Sequence, residues 1–374
     1  MSESRGDELQ RIPIVVLGAG GVGAALLRQI ADGRARTADR ARCRFEVVAI
    51  ADRTSAWVAP GGLSDAELRD AVAAKARREP VDPARRSGPA GLPTGSGDLV
   101  ALVDRVAELL GQPAILVDVT AADGLEPVLD RALDLGWSVA LANKKALAGP
   151  WGRARRYFDN PRLRHESTVG GGQPVIATLR YLVDTDDPIL GIEGQLSGTL
   201  GFLCTALEAG RPFSGALAEA VERGYTEPDP REDLAGRDVV RKAVILARLA
   251  GWPIEAADVA VEALFPAELA ERSVAGFLAA TPDLDGAFAA RFAAAKEAGL
   301  RLRYLARLAP GRAEVGLTPI PHESPYANLK YVSIRTARYD DEPLLIGGKG
   351  AGVEMTAAGV VGDLIGLVRE VLRA

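Results

Sequence analysis

Residues 12–30 read Ile12-Pro13-Ile14-Val15-Val16-Leu17-Gly18-Ala19-Gly20-Gly21-Val22-Gly23-Ala24-Ala25-Leu26-Leu27-Arg28-Gln29-Ile30. An apolar, largely β-branched run, Ile12 to Leu17, ends at a glycine cluster, and Ala24 to Ile30 has the composition of a helix. Strand, turn and helix in that order make half a βαβ unit. Gly18, Gly20 and Gly23 have the GxGxxG spacing of a dinucleotide-binding turn. Gly18 permits the tight turn, Gly20 lets the backbone approach a pyrophosphate, and Gly23 lets helix pack on strand. Gly21 and Val22 complete the fingerprint ahead of the helix, whose N-terminal amide donors and positive dipole end favour an anion.

Working outward, a polar, arginine-rich stretch from Gly33 to Arg44 reads as loop, and Phe45 to Ala51 reads as a second strand parallel to the first. That strand runs into Asp52-Arg53. A carboxylate there would hold a ribose 2′-hydroxyl and an arginine would favour a 2′-phosphate, so the choice between NAD and NADP stays open. Ala59 to Gly97 is rich in Pro, Gly, Arg and Ala, with a short helix from Asp65 to Arg78, and reads as an insertion or lid outside the core. Strands at Ala114 to Val119 and Trp137 to Ala142 flank a helix at Leu125 to Leu135, which continues a doubly wound α/β sheet. Beyond about residue 155 the pattern changes to α+β, with a strand at Ile189 to Leu196 and a helix at Gly236 to Ala250; Phe265 to Ala298 reads as helical scaffold. Leu344 to Ile346 leads into a glycine cluster and a helix from Thr356 to Leu372. The pattern therefore divides into a Rossmann-type dinucleotide-binding domain up to about residue 155 and a second domain of α+β type.

Whole-chain properties narrow the function. At 374 residues two domains are expected. The net charge of -5 argues against nucleic-acid or anionic-membrane partners and for a small-molecule substrate. No apolar run is long enough for a membrane span, and the polar segment Met1 to Arg11 lacks a signal peptide's apolar core, so the expected location is the cytoplasm. Cys43 and Cys204 stand far apart outside any CxxC and read as reduced thiols. His165 and His322 have no partner at metal or triad spacing and are given no catalytic role.

In Gly224-Tyr225-Thr226-Glu227-Pro228-Asp229-Pro230-Arg231-Glu232-Asp233-Leu234-Ala235-Gly236-Arg237-Asp238, five carboxylates fall within twelve residues from Glu227, and Lys242 follows Asp238 by one helical turn. That spacing puts Asp238 and Lys242 on one helix face. The two prolines keep Glu227 to Arg231 out of a helix, leaving a rigid acidic loop suited to an ammonium group. The same stretch taken alone also fits a solvated acidic loop with an ordinary ion pair. Asn143-Lys144-Lys145 follows the strand Trp137 to Ala142, at the carboxyl end of the sheet where doubly wound folds bind ligands.

GAGGVG, NKK, ESTVGGGQP (166–174), GQLSGTLGFL (194–203), GYTEPDPREDLAGRD and GKGAG (348–352), in this order, resemble the homoserine dehydrogenase family nearly end to end. The resemblance implies NAD(P)-dependent interconversion of L-aspartate 4-semialdehyde and L-homoserine, in the biosynthesis of threonine, methionine and isoleucine. It makes Lys242 and Lys144 the catalytic lysines, with Lys242 the proton donor to the aldehyde oxygen, and assigns Glu227, Asp238 and Asp233 to the substrate. Hydride addition to a carbonyl builds negative charge on oxygen, which an ammonium both stabilises and protonates. The resemblance places Lys144, Thr120 and Gly352 against the dinucleotide, with the C-terminal segment folded back on the first domain. It also implies a sodium ion held by Glu166, Val169, Gly171 and Gln173, a dinucleotide-binding domain of residues 1–155 and 341–374, a catalytic and dimerisation domain of residues 156–340, and a homodimer. A glycine-rich hinge is the plainer reading of residues 166–173.

Some positions depart from the family pattern. Ser197-Gly198-Thr199-Leu200-Gly201 is closer to the fungal and kinase-fused variant than to NGTxN, Glu232 stands where aspartate is common, and Lys349 is unusual in the last glycine cluster and bears on cofactor affinity. No aspartate-kinase or regulatory module is recognisable, so no appended threonine site is expected. Two alternatives share the cofactor half: a dehydrogenase of another amino-acid semialdehyde, distinguished by substrate choice, and a non-catalytic dinucleotide-binding paralogue. The paralogue would be expected to have lost one of Lys144, Glu227, Asp238 or Lys242.

Overall fold

A computed structural model describes residues 9–53, 55–85 and 96–370 of the chain. The chain divides into two compact units, Met1–Leu147 with Ala154–Gly172 and Ala351–Ala374, and Ala148–Arg153 with Gln173–Gly350.

The first unit begins β1 (Gln10–Leu17), α1 (Gly21–Ala41), β2 (Cys43–Ala51), β3 (Ala56–Val58), α2 (Asp65–Ala76), α3 (Ser96–Leu110) and β4 (Ile115–Asp118). It continues through α4 (Glu126–Asp134), β5 (Ser138–Leu141), α5 (Lys145–Ala148), α6 (Trp151–Phe158) and β6 (Leu163–Arg164), of which residues 148–153 count with the second unit, and a C-terminal helix, Val353–Glu370, completes it. The sheet order is β3-β2-β1-β4-β5-β6, parallel except for the β2–β3 pair. β4 and β5 are buried along their whole length, as expected of strands covered by helices on both faces. β1 is followed along the chain by β2 on one side and is paired with β4 on the other, so the strand order reverses at β1 and β4. Their carboxyl ends mark the place where such sheets bind ligands. The C-terminal helix packs on α1 through buried Ala357, Val360, Leu364 and Leu367.

The structure changes several expectations. Gly33 to Arg44 is not loop: α1 runs to Ala41, because Arg and Ala are good helix formers and Arg34 is anchored to Asp65, Phe45 O and Leu63 O. The late position of Asp52 therefore reflects a long helix. The 59–97 segment is not wholly outside the core, since Leu63, Leu68, Ala71 and Val81 are buried in the main cluster of this unit. Ser64 forms a reciprocal capping box with Glu67 that starts α2. Residues 86–95 of this segment, the polar residues 1–8 and the end of the expected 356–372 helix lie outside the described residues. The expected boundaries also move. Residues 156–172 belong with the first unit because β6 pairs with β5, and 341–350 with the second because they carry a strand of its sheet.

The second unit comprises α7 (Val175–Asp184), β7 (Ile189–Gly194), α8 (Gly198–Glu208), α9 (Phe213–Glu222), α10 (Arg231–Leu234), α11 (Arg237–Leu249), β8 (Ala260–Val261) and α12 (Val274–Ala280). It ends with α13 (Asp285–Glu297), β9 (Leu300–Ala309), β10 (Arg312–Pro321), β11 (Lys330–Thr336) and β12 (Leu344–Gly348). Its sheet has the order β12-β11-β7-β9-β10-β8 and is antiparallel apart from the short β10–β8 pair. α8, α11 and α13 pack on β9. Residues 148–153 join this unit because buried Arg248 donates to Gly149 O (2.7 Å) and lies over the Trp151 ring. Among the described residues no helix is long and apolar enough to cross a membrane.

Candidate active site

In the first unit the glycine turn has the geometry its spacing predicts. Gly18 has φ 103°, open to glycine alone without strain, and its amide donates to Ala51 O (2.8 Å). A Cβ on Gly23 would collide with the Gly18 carbonyl, whereas one on Gly20 would meet nothing within 4 Å. Gly23 is thus needed for packing, and the space over Gly20, at the N-cap of α1, is open to a pyrophosphate. Val22 packs against the core. Thr120 and Gly352 both lie close to this turn. A Cβ on Gly18 would stand 3.0 Å from Thr120 Cγ2, and one on Gly21 would stand 3.0 Å from Cγ1 of Val353, the neighbour of Gly352.

At the end of β2, Asp52 is engaged within the protein. Lys75 Nζ donates to Asp52 Oδ2 (2.6 Å), Ser55 N donates to Oδ1 (2.9 Å), and the side chain is 5% exposed. Arg53 is exposed.

Lys144 follows β5, half-buried, in a segment tied to the end of β4. Asn143 Nδ2 donates to Asp118 Oδ2 (3.0 Å) and Ala122 O (2.9 Å), and Lys145 N donates to Asn143 Oδ1 (3.1 Å). Asp118 also accepts from Thr120 N (2.9 Å). Burial pushes the Asp118 carboxyl up to about 6, against the opposing pull of these hydrogen bonds. Lys145 turns away to pair with exposed Asp123 (2.6 Å).

In the second unit α11 presents Lys242 as its spacing predicts: Nζ lies 2.8 Å from Asp238 Oδ2 and donates to Leu196 O (2.6 Å). The loop before it is held from inside. Asp233 Oδ2 accepts from Glu227 N (2.8 Å), and burial pushes its carboxyl up, partly offset by hydrogen bonds from that amide and from Thr199. Asp229 and Arg231 form a bidentate pair, with Arg231 also donating to Ala270 O (2.6 Å) and Arg272 O (2.5 Å). Glu232 pairs with Arg237 (2.6 Å). The Glu227 side chain is exposed at the loop's tip. Gly236 (φ 68°) starts α11 where a Cβ would collide with the Tyr304 hydroxyl.

The proposed cation loop is divided between the units. Glu166 N donates to Asp363 Oδ2 (2.9 Å), Val169 is buried, and Gly170 and Gly171 have φ of 78° and 63°. Gln173, in the second unit, donates from Nε2 to Lys330 O (3.3 Å). His165 is buried against Phe158 and hydrogen-bonded to Thr168; His322 is exposed beside Arg301. Cys43 and Cys204 are buried and in no disulfide, and burial pushes the Cys204 thiol up to about 12.

Two residues of interest escape a motif-led reading, Asp118 and Lys330. Asp118 acts on Asn143, which the motifs do include, so a polar residue at the end of an apolar strand was the available signal; Thr199, bonded to Tyr225 O and Asp233, lies in a motif that gave it no role. Lys330 gave no signal, being one lysine in a strand.

Residues 174–365 match the homoserine dehydrogenase family model, and residues 18–162 match the homoserine dehydrogenase NAD-binding domain. The chain is 32% identical to the homoserine dehydrogenase of Schizosaccharomyces pombe, covering 99% of this chain and 98% of that protein. It is 34% identical to a bifunctional aspartokinase/homoserine dehydrogenase of Zea mays over 95% of this chain, and spans 38% of that relative's length. A Candida auris protein of unknown function shares the fold at a TM-score of 0.82 and 30% identity, covering 97% of this chain and 99% of that one. A hyperthermophilic archaeal homoserine dehydrogenase solved with NADPH does so at 0.70 and 23%, covering 98% and 99%. With the family model matching half the chain and a full-length relative above 30% identity, the chain belongs to the homoserine dehydrogenase family.

Proposed function

We propose that this chain is an NAD(P)-dependent homoserine dehydrogenase interconverting L-aspartate 4-semialdehyde and L-homoserine. The observation that carries the reading is Lys242, an ammonium held between the Asp238 carboxylate and the Leu196 carbonyl beside a braced acidic loop. The bound nicotinamide would supply or accept the hydride. Lys242 gives its proton to the carbonyl oxygen on reduction and takes it back on oxidation, and the contact with Asp238 holds that lysine in position. Glu227 takes the α-ammonium, with Asp233 fixing the loop that presents it. Lys144 serves as the second catalytic lysine, set by Asn143 and Asp118. Gly18, Gly20, Gly21, Val22 and Gly23 hold the pyrophosphate, with Thr120 and Gly352 flanking it.

NADP is the favoured cofactor: the Asp52 carboxylate is already neutralised by Lys75, and exposed Arg53 is left to meet a 2′-phosphate. A sodium ion near residues 166–171 is supported by the two left-handed glycines, which curl the backbone carbonyls of that loop. The assembly that goes with this reading is a cytoplasmic homodimer formed through the second unit's sheet. Light scattering on the purified protein tests the dimer, and a thermal shift in sodium but not lithium chloride tests the ion.

The deciding experiment follows absorbance at the reduced-nicotinamide band with L-homoserine and NADP or NAD. Reduction with homoserine but not with serine, threonine or malate supports the assignment. Cofactor binding without turnover on homoserine overturns it.

A further inference from the structure

An amino acid brings two opposite charges into a site, and each needs a partner once water is displaced. The loop ahead of α11 offers carboxylates to the ammonium end, and Lys242 is committed to Asp238 and Leu196 O. The carboxylate end requires a further cation.

Lys330 opens β11. Its backbone pairs with Gly348 of β12 on one side, which makes Lys349 a near neighbour. On the other side the β11–β7 ladder runs past Val332 and Gly194 into a bond from Gln195 N to Tyr331 O (2.9 Å). The Lys330 ammonium therefore reaches the chain just beyond β7: a Cβ on Gly198 would stand 3.1 Å from its Nζ. Gly198 is two residues beyond Leu196, whose carbonyl holds Lys242, and it opens the eleven-residue helix α8. Gln173 donates to Lys330 O and fixes the start of the strand. The charges acting on Lys330 are those of Lys242 and Lys349. Burial above all, and then these charges, lower its pKa from the ordinary lysine range, and among the described residues no carboxylate is paired with it. Such an arrangement of like charges is relieved by an anion.

We propose that Lys330, assisted by Lys349, forms an anion subsite beside Lys242 that takes the α-carboxylate of the substrate. The proposal rests on the homoserine dehydrogenase reading and adds to it the residue that recognises the carboxylate. Glu227 and Lys330 would then divide the two charges of the amino acid between them, so that an alcohol lacking either charge is a poor substrate.

The test compares L-homoserine with L-homoserinamide, which keeps the alcohol and the ammonium and lacks the carboxylate. In Lys330→Met the KM for homoserine rises about 10- to 100-fold, the range for one charge-assisted contact. The KM for NADP and the activity on the amide stay as in the parent, and Lys330→Arg restores most of the homoserine affinity. An unchanged KM for homoserine, or equal losses on homoserine and amide, overturns the subsite. Should the parent enzyme oxidise neither compound, the functional reading falls by itself. The subsite is then read on the unmodified protein, as it is if Lys330→Met does not fold. Sulfate slows acetylation of Lys330, followed by peptide mass, relative to the other lysines, and equal rates with and without sulfate overturn it.

Discussion

Asp118 and Asn143 meet at the ends of neighbouring strands, Nδ2 donating to Oδ2 at 3.0 Å, and through this bond the segment carrying Lys144 is fastened to the sheet. Asp118 is buried, with its carboxyl pushed up to about 6 from 3.8. The folded chain thus keeps a proton that the unfolded chain releases between these values. The contribution to stability is fully present below about pH 4 and is lost as pH rises through about 6. Asp118→Asn removes this dependence. The difference in urea midpoint between parent and variant should change between pH 4 and 6 and be flat from 7 to 8.5; a constant difference throughout would contradict the assignment.

Lys242→Ala should lower kcat by about 100-fold or more, the scale for removing a positioned acid or base, with NADP binding retained. Asp238→Asn should give a smaller loss, since it removes the counter-charge and leaves the ammonium its Leu196 carbonyl. Stopped-flow turnover with calorimetric cofactor titration separates these effects from misfolding.

The glycines of the turn should fail in different ways. Gly20→Ala folds like the parent, since its Cβ meets no protein atom, and weakens NADP by about tenfold or more, ~1.4 kcal/mol. Gly23→Ala drives a methyl against the Gly18 carbonyl and costs ~1–3 kcal/mol of stability. Thermal unfolding and cofactor titration of both variants are sufficient; a reversed pattern would mean the turn is used differently.

Arg53→Ala should raise the KM for NADP roughly tenfold, ~1.4 kcal/mol, and leave that for NAD unchanged. Lys75→Met frees the Asp52 carboxylate to hold a ribose hydroxyl, so the preference should move toward NAD. Parallel initial rates with the two cofactors check both.

The βαβ start was legible because glycines at fixed spacing have few structural uses, and Asp238 with Lys242 because helix periodicity alone sets their approach. The full length of α1 was not legible: arginines that read as loop are helix formers, and what holds Arg34 in place is Asp65, Phe45 and Leu63, none of them local in sequence. β9 and β10 were missed although Leu300-Arg301-Leu302-Arg303 alternates, because charge at every second place hid a strand whose Arg303 is buried on Glu208 (2.6 Å). Lys330 was out of reach, since only strand register brings it to Gly198. Asp52 shows the opposite limit: its place at the strand end was predicted, but its partner, Lys75, comes from a helix that carries no motif.

The last helix, Val353–Glu370, lies in the unit that the first residues begin, after every residue of the other. During synthesis, the first unit must wait with Leu26, Leu27 and Ile30 short of their covering until the ribosome has made residues 173–350 of the second, roughly 10–40 s at ~5–20 residues per second. The unit that emerges first is therefore the unit that finishes last, and the second, contiguous from 173 to 350, has all of that segment's residues in hand before its predecessor is closed.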